Sequence, residues 1–232
     1  MCKSVISEIL GDFVSLLFPD YCLACEDALV KGEELVCIRC LLDLPATNYH
    51  LDHSNPLKTR LAYRLPLEYA MAMYKFSKSG KVQALLHALK YRNHPELGVM
   101  LGAIYGQKLS EVPDLTFDII IPVPLHTARK RKRGYNQSSK FAHGLSDRLH
   151  IPFSDTFMTR GVMTATQTKK TKLSRWQNVK DVFTLTDPEA AIGKRILLVD
   201  DVVTTGATLE SCATPLLEAG CKSLSIACIA EA

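Results

Sequence analysis

The stretch Ile196 to Leu209, I-L-L-V-D-D-V-V-T-T-G-A-T-L, limits the folds open to this chain more than any other. Ile196 to Val199 are four apolar residues set between turn-forming Gly193 and Gly206, which reads as a short buried strand. Two adjacent carboxylates follow, Asp200 and Asp201, and then a hydroxyl-rich loop, Thr204-Thr205-Gly206-Ala207-Thr208. From Thr208 to Ala219 the residues Leu209, Cys212, Leu216 and Leu217 fall at helical spacing, and Gly220 stands where a left-handed cap would end that helix. The predicted unit is strand, acidic pair, loop and helix.

Each residue type there has a chemical use. A helix N-terminus offers unpaired N–H groups and a positive dipole end, which suit a phosphate. Gly206 lets the backbone approach such a group closely, and Thr204, Thr205 and Thr208 add hydroxyl donors. Carboxylates repel phosphate, so Asp200 and Asp201 suit neutral hydroxyls or a hydrated metal ion. Phosphate at one end and diol at the other describe a ribose 5-phosphate. The plainer alternative, a capped helix after a strand in any α/β domain, does not ask for so long and specific a pattern. No Walker-type phosphate loop, G-x-x-x-x-G-K-[ST], occurs.

Length and composition set outer bounds. A chain of 232 residues holds one α/β domain and a small appendage, and its 47% hydrophobic and 22% charged content is that of a globular protein. No apolar run is long enough to span a bilayer, and the net charge of +4 is too small to make the whole chain a nucleic-acid glue. Four of eight cysteines form a tight block, Cys22-x-x-Cys25 and Cys37-x-x-Cys40, while Cys212, Cys221 and Cys228 lie in apolar contexts. That distribution predicts a reducing, cytoplasmic setting and one structural Zn²⁺ held by four thiolates, with an iron–sulfur cluster as the weaker alternative.

Taken in order, Ser4 to Phe18 has the apolar spacing of a helix with one wide face. Residues Leu44 to Leu67 read as a linker, Tyr69 to Phe76 as a strand, Gly80 to Tyr91 and Pro95 to Leu109 as helices. Phe117 to Val123 reads as a buried parallel strand. The loop after it carries Arg129-Lys130-Arg131-Lys132-Arg133, placed where open α/β sheets bind ligands. Such a run is either a solvated turn or a contact for pyrophosphate or a nucleic-acid backbone. A helix to His150 follows. The polar segment Gly161 to Asp181, with Lys169, Lys170 and Arg175, reads as a functional loop or cationic lid. Val182 to Thr186 and Leu224 to Ala230 read as strands.

The acidic motif resembles the phosphoribosyl pyrophosphate (PRPP) signature of type I phosphoribosyltransferases. With F-P-D-Y-C-L-A-C…C-I-R-C near the start, R-K-R-G-Y-N-Q at 131–137 and Q-T-K-K-T-K-L-S-R-W-Q-N at 167–178, the chain as a whole resembles the ComF family of competence proteins. The resemblance implies a twisted, mainly parallel sheet with helices on both faces. Residues 1–47 would form the N-terminal helix and zinc ribbon, and residues 48–232 the phosphoribosyltransferase-like domain. It implies that Asp200 and Asp201 contact the ribose, that Val203 to Thr208 wrap the 5′-phosphate, and that Mg²⁺ accompanies PRPP. Arg129, Arg131, Arg133, Lys169, Lys170 and Arg175 would contact pyrophosphate or DNA. It implies a role in DNA uptake, with single-stranded DNA and a helicase as partners. Three readings stay open: a PRPP-dependent transferase, a non-catalytic module that senses PRPP or a nucleotide, and a nucleobase-salvage enzyme.

Overall fold

The computed structural model describes residues 18–161 and 182–232. The helix predicted from Ser4, save its end at Phe18, and the basic segment with Lys169, Lys170 and Arg175 lie outside the described residues.

The cysteine block folds as a small ribbon. Its two knuckles are tied by backbone bonds, Leu23 N–H to the Leu35 carbonyl at 2.9 Å among them. The second knuckle opens helix α1, Ile38–Asp43, whose N-cap is Cys37. The stretch read as a linker contains a further helix, α2, Pro56–Ala62. Asn55 caps it and Pro56 takes the first helical position, where its missing N–H costs nothing.

Four strands make the main sheet: β1 (Leu67–Lys75), β2 (Ile119–Pro122), β5 (Arg195–Val203) and β6 (Ser223–Glu231). Their order is β1-β6-β5-β2, and every pairing is parallel. A short run continues the sheet past β2, where Ile120 N–H donates to the Pro152 carbonyl and Ser154 N–H to the Ile120 carbonyl. Parallel strands are covered on both faces, so β5 and β6 read as apolar runs rather than alternating ones. One face packs Met73, Leu197 and Ile229 against helices α3 (Lys81–Tyr91), α4 (Pro95–Ser110) and α6 (Gln137–Leu149). Cys22, Val36, Cys37 and Cys40 of the ribbon join this same core. The other face packs Ile196, Leu198 and Ile226 against α2 and helix α7, Ala207–Glu218. A separate antiparallel pair, β3 (Met158–Gly161) with β4 (Val182–Leu185), adds Met158 and Phe183 to that second core.

Helices α4 and α6 cross at glycines. A Cβ on Gly144 would stand 2.0 Å from the Val99 carbonyl oxygen and 2.6 Å from the Ala103 nitrogen, and one on Gly102 would stand 2.2 Å from the Phe141 carbonyl oxygen. Only hydrogen side chains let the two backbones approach that closely.

The basic run is not a loop. Thr127–Arg133 forms helix α5, capped by the His126 ring nitrogen and closed by Gly134 at φ 80°. It buries no residue, which is why no apolar period marked it. The parallel order brings the carboxyl ends of β2 and β5, the start of α7 and the α5–α6 junction to one crevice.

Candidate functional site

Strand β5 runs further than its apolar residues indicate and carries Asp200 and Asp201 within its ladder, Asp200 opposite Cys228 of β6. Val203 is buried below, and the chain turns through Thr204 and Thr205, both exposed, into Gly206. Gly206 adopts φ 81° and is the N-cap of α7. Leu61 of α2 lies directly behind it, with Cδ2 2.4 Å from where a Cβ would sit. The turn is therefore shaped by a positive φ and by a core side chain pressed under it. Ala207 and Thr208 begin the helix, so its first N–H groups face the small cavity, of about 30 Å³, lined by residues 202–209 with Asp200.

The carboxylates have distinct partners. Asp200 Oδ1 accepts from Ser138 Oγ at 2.9 Å and from the Asp201 N–H at 2.8 Å. Ser138 sits in the first turn of α6, where Asn136 caps the helix and also donates to the Val123 carbonyl at 2.9 Å. Asp201 Oδ2 meets Lys90 Nζ at 2.9 Å, both side chains being largely buried. Burial first, then the negative charge of Asp201, push the Asp200 carboxyl up to about 7; its two hydrogen bonds and Lys90 oppose this.

Asp200 and Asp201 also line a larger cavity of about 180 Å³ that contains Lys90, Arg129, Arg133, Arg160 and Thr208. It shares Asp200, Val202 and Thr208 with the cradle at the start of α7, so acidic pair and cradle form one continuous site. Of the basic residues singled out in sequence, Arg129 and Arg133 reach this cavity, while Arg131 faces another. Lys90, Ser138 and Arg160 escaped sequence reading. Lys90 and Ser138 lie inside helical patterns, and nothing local marks them as facing a strand more than sixty residues downstream.

The four ribbon thiols form a second constellation. Cys22, Cys25, Cys37 and Cys40 sulfurs all lie within 4.8 Å of one another and could hold one metal ion. The Cys25–Cys37 separation is 3.8 Å, which is the edge of a tetrahedron with bonds of about 2.3 Å. Backbone N–H groups of Ala24 and Cys37 point at Cys22 Sγ, and that of Cys40 at Cys37 Sγ. Burial pushes the Cys22 thiol up, but the N–H groups of Cys37, Ala24 and Cys25 outweigh it and bring the group down to about 7, whereas burial and the neighbouring thiols push Cys40 up, as expected for thiols packed so close together.

The phosphoribosyl transferase domain family matches residues 96–232. The DNA utilization protein YhgH of Escherichia coli O157:H7 is 30% identical over 219 residues, 90% of this chain and 88% of that protein. Competence protein ComFC of Bacillus subtilis strain 168 is 28% identical over 95% of this chain and 88% of its own length. Competence protein F of Haemophilus influenzae is 36% identical over half of this chain and 51% of its own. Among the described residues no helix is long and apolar enough to cross a membrane.

Proposed function

The chain belongs to the ComF family of proteins with a phosphoribosyl transferase domain, and from that premise we propose that its crevice binds PRPP in the service of DNA uptake. The observation that carries this reading is the continuity of the acidic pair with the cradle at the start of α7, joined at Asp200, Val202 and Thr208. Diol hydroxyls would donate to Asp200 and Asp201, and the 5′-phosphate would accept from backbone N–H and threonine hydroxyls of Thr204 to Thr208. Lys90, Arg129 and Arg133 then stand beside the sugar, where the pyrophosphate of such a ligand extends.

Two crowded carboxylates, one already pushed up to about 7, are the oxygen donors that would hold Mg²⁺ beside the ligand. Mg²⁺ there supplies charge neutralisation for pyrophosphate. The residues themselves position the sugar, and the cations would stabilise pyrophosphate as it departs with the electrons of its bond to ribose C1 while a nucleophile bonds to that carbon in its place. The four ribbon thiols would hold Zn²⁺, which would serve a structural role there.

Melting with and without Mg-PRPP tests the reading. At about 100 times its dissociation constant, PRPP stabilises a one-site protein by roughly 2.7 kcal/mol. The Asp200→Asn, Asp201→Asn variant is expected to lose that shift and keep its fold. A full shift in the variant would overturn the assignment. Pyrophosphate release measured across nucleobases, with and without single-stranded DNA, separates a transferase from a sensor.

A further inference from the structure

Lys90 and Arg133 each stand in the walls of two cavities. One is the acidic-pair crevice. The other is an open groove of about 390 Å³ that adjoins it at these two residues, lined also by Tyr91, Asn93, Arg131 and Lys132. Two helix ends build it: α3 supplies Lys90 and Tyr91, and α5 supplies Arg131 to Arg133.

Its chemistry is specific. Four of its lining side chains are cations. Among the described residues, Arg131 and Lys132 have no carboxylate partner, although like charges so close repel one another. The groove also contains a large aromatic that the fold leaves outside. Tyr91 is 61% exposed, and the Arg133 guanidinium carbon stands 5.2 Å from its ring centroid. Even with Arg133 donating to its hydroxyl at 3.5 Å and the His87 ring 5.0 Å away, Tyr91 keeps most of its surface open, which a solvated charged turn does not require. A small anion does not use the ring either, and a duplex hides the faces of its bases. A polyanion with free flat rings uses both features, cations for its phosphates and Tyr91 for a base.

We propose that this groove carries single-stranded nucleic acid with a base against Tyr91, and that the strand and a polyphosphate ligand at Asp200 and Asp201 exclude each other. Exclusion follows from the shared wall. Lys90 and Arg133 cannot serve two polyanions fully at once, so each occupant weakens the other by the same factor. This second part rests on the PRPP reading, whereas the groove does not.

The experiment is fluorescence anisotropy of a labelled oligo-dT of about a dozen nucleotides, a length within the usual site sizes. Tyr91→Ala is expected to lower affinity at least fivefold at every salt concentration, with Tyr91→Phe restoring it. Arg131→Ala with Lys132→Ala should instead flatten the salt dependence, by about 0.7 in log–log slope for each phosphate no longer neutralised. Saturating Mg-PRPP should weaken oligo-dT binding at least fivefold, with inorganic phosphate at equal ionic strength as control. Unchanged affinity in Tyr91→Ala, or equal binding of a duplex, overturns the groove. Intact PRPP binding that leaves oligo-dT affinity unchanged or raised overturns the exclusion alone. PRPP that fails to shift the wild-type melt overturns the sugar-phosphate reading and, with it, the exclusion, while the tyrosine result still decides the groove.

Discussion

Asp200→Asn should make the ligand-free protein more stable at neutral pH. The carboxyl is moved from an ordinary value of 3.8 to about 7 by burial and by Asp201. Below pH 4 it is protonated in both the folded and unfolded chain and has no differential cost. As pH rises from 4 to 7 the unfolded chain ionises first, so stability falls, and above 7 the full cost remains. Roughly three pH units correspond to about 4 kcal/mol at 1.36 kcal/mol each. Asparagine removes this charge and can still accept from Ser138 and the Asp201 N–H, but it adds amide donors whose burial costs about 1–3 kcal/mol. The net gain is then about 1–3 kcal/mol, or roughly 2–10 °C for a chain of this size. Scanning calorimetry at pH 7.5 and at pH 4 reads both the gain and its disappearance. A variant that melts at or below the wild type at pH 7.5, or a difference that does not depend on pH, would refute the electrostatic account of this site.

Three further outcomes follow from the same structure. Elemental analysis should find about one zinc per chain, and Cys37→Ser, which removes a thiolate while leaving α1 a hydroxyl cap, should abolish it. Gly144→Ala should cost about 3 kcal/mol or more, read by circular dichroism melting, because its methyl meets backbone of α4 and cannot be accommodated by a side-chain rotation. Gly206→Ala should cost about 1–2 kcal/mol from its φ of 81° and weaken PRPP binding by calorimetry, since Leu61 leaves no room behind the turn.

What the sequence disclosed and what it withheld divide along physical lines. Strand β5, its acidic pair, the turn and α7 are contiguous, so each could be read from its neighbours, down to Gly220 at φ 85° past the helix end. The cysteine spacing likewise reported a local cluster. Helix α2 was legible in principle, because Asn55-Pro56 is a cap followed by proline at the first position, but two further prolines nearby obscured it. Helix α5 was not, since a helix that buries nothing has no apolar period. Lys90, Tyr91 and Ser138 reach their places only through tertiary packing, Tyr91 meeting Arg133 across 42 residues of chain.

The strand order has a consequence for how the chain is made. β1 emerges from the ribosome well ahead of β6, which among the described residues is its one ladder partner in the main sheet. At about 5–20 residues per second, the roughly 150 residues between them take on the order of ten seconds to synthesise. Throughout that interval β1 offers an apolar, unpaired edge of the kind that aggregates. The thiol knot just ahead of it closes over only a short length of chain, so it can form within that wait.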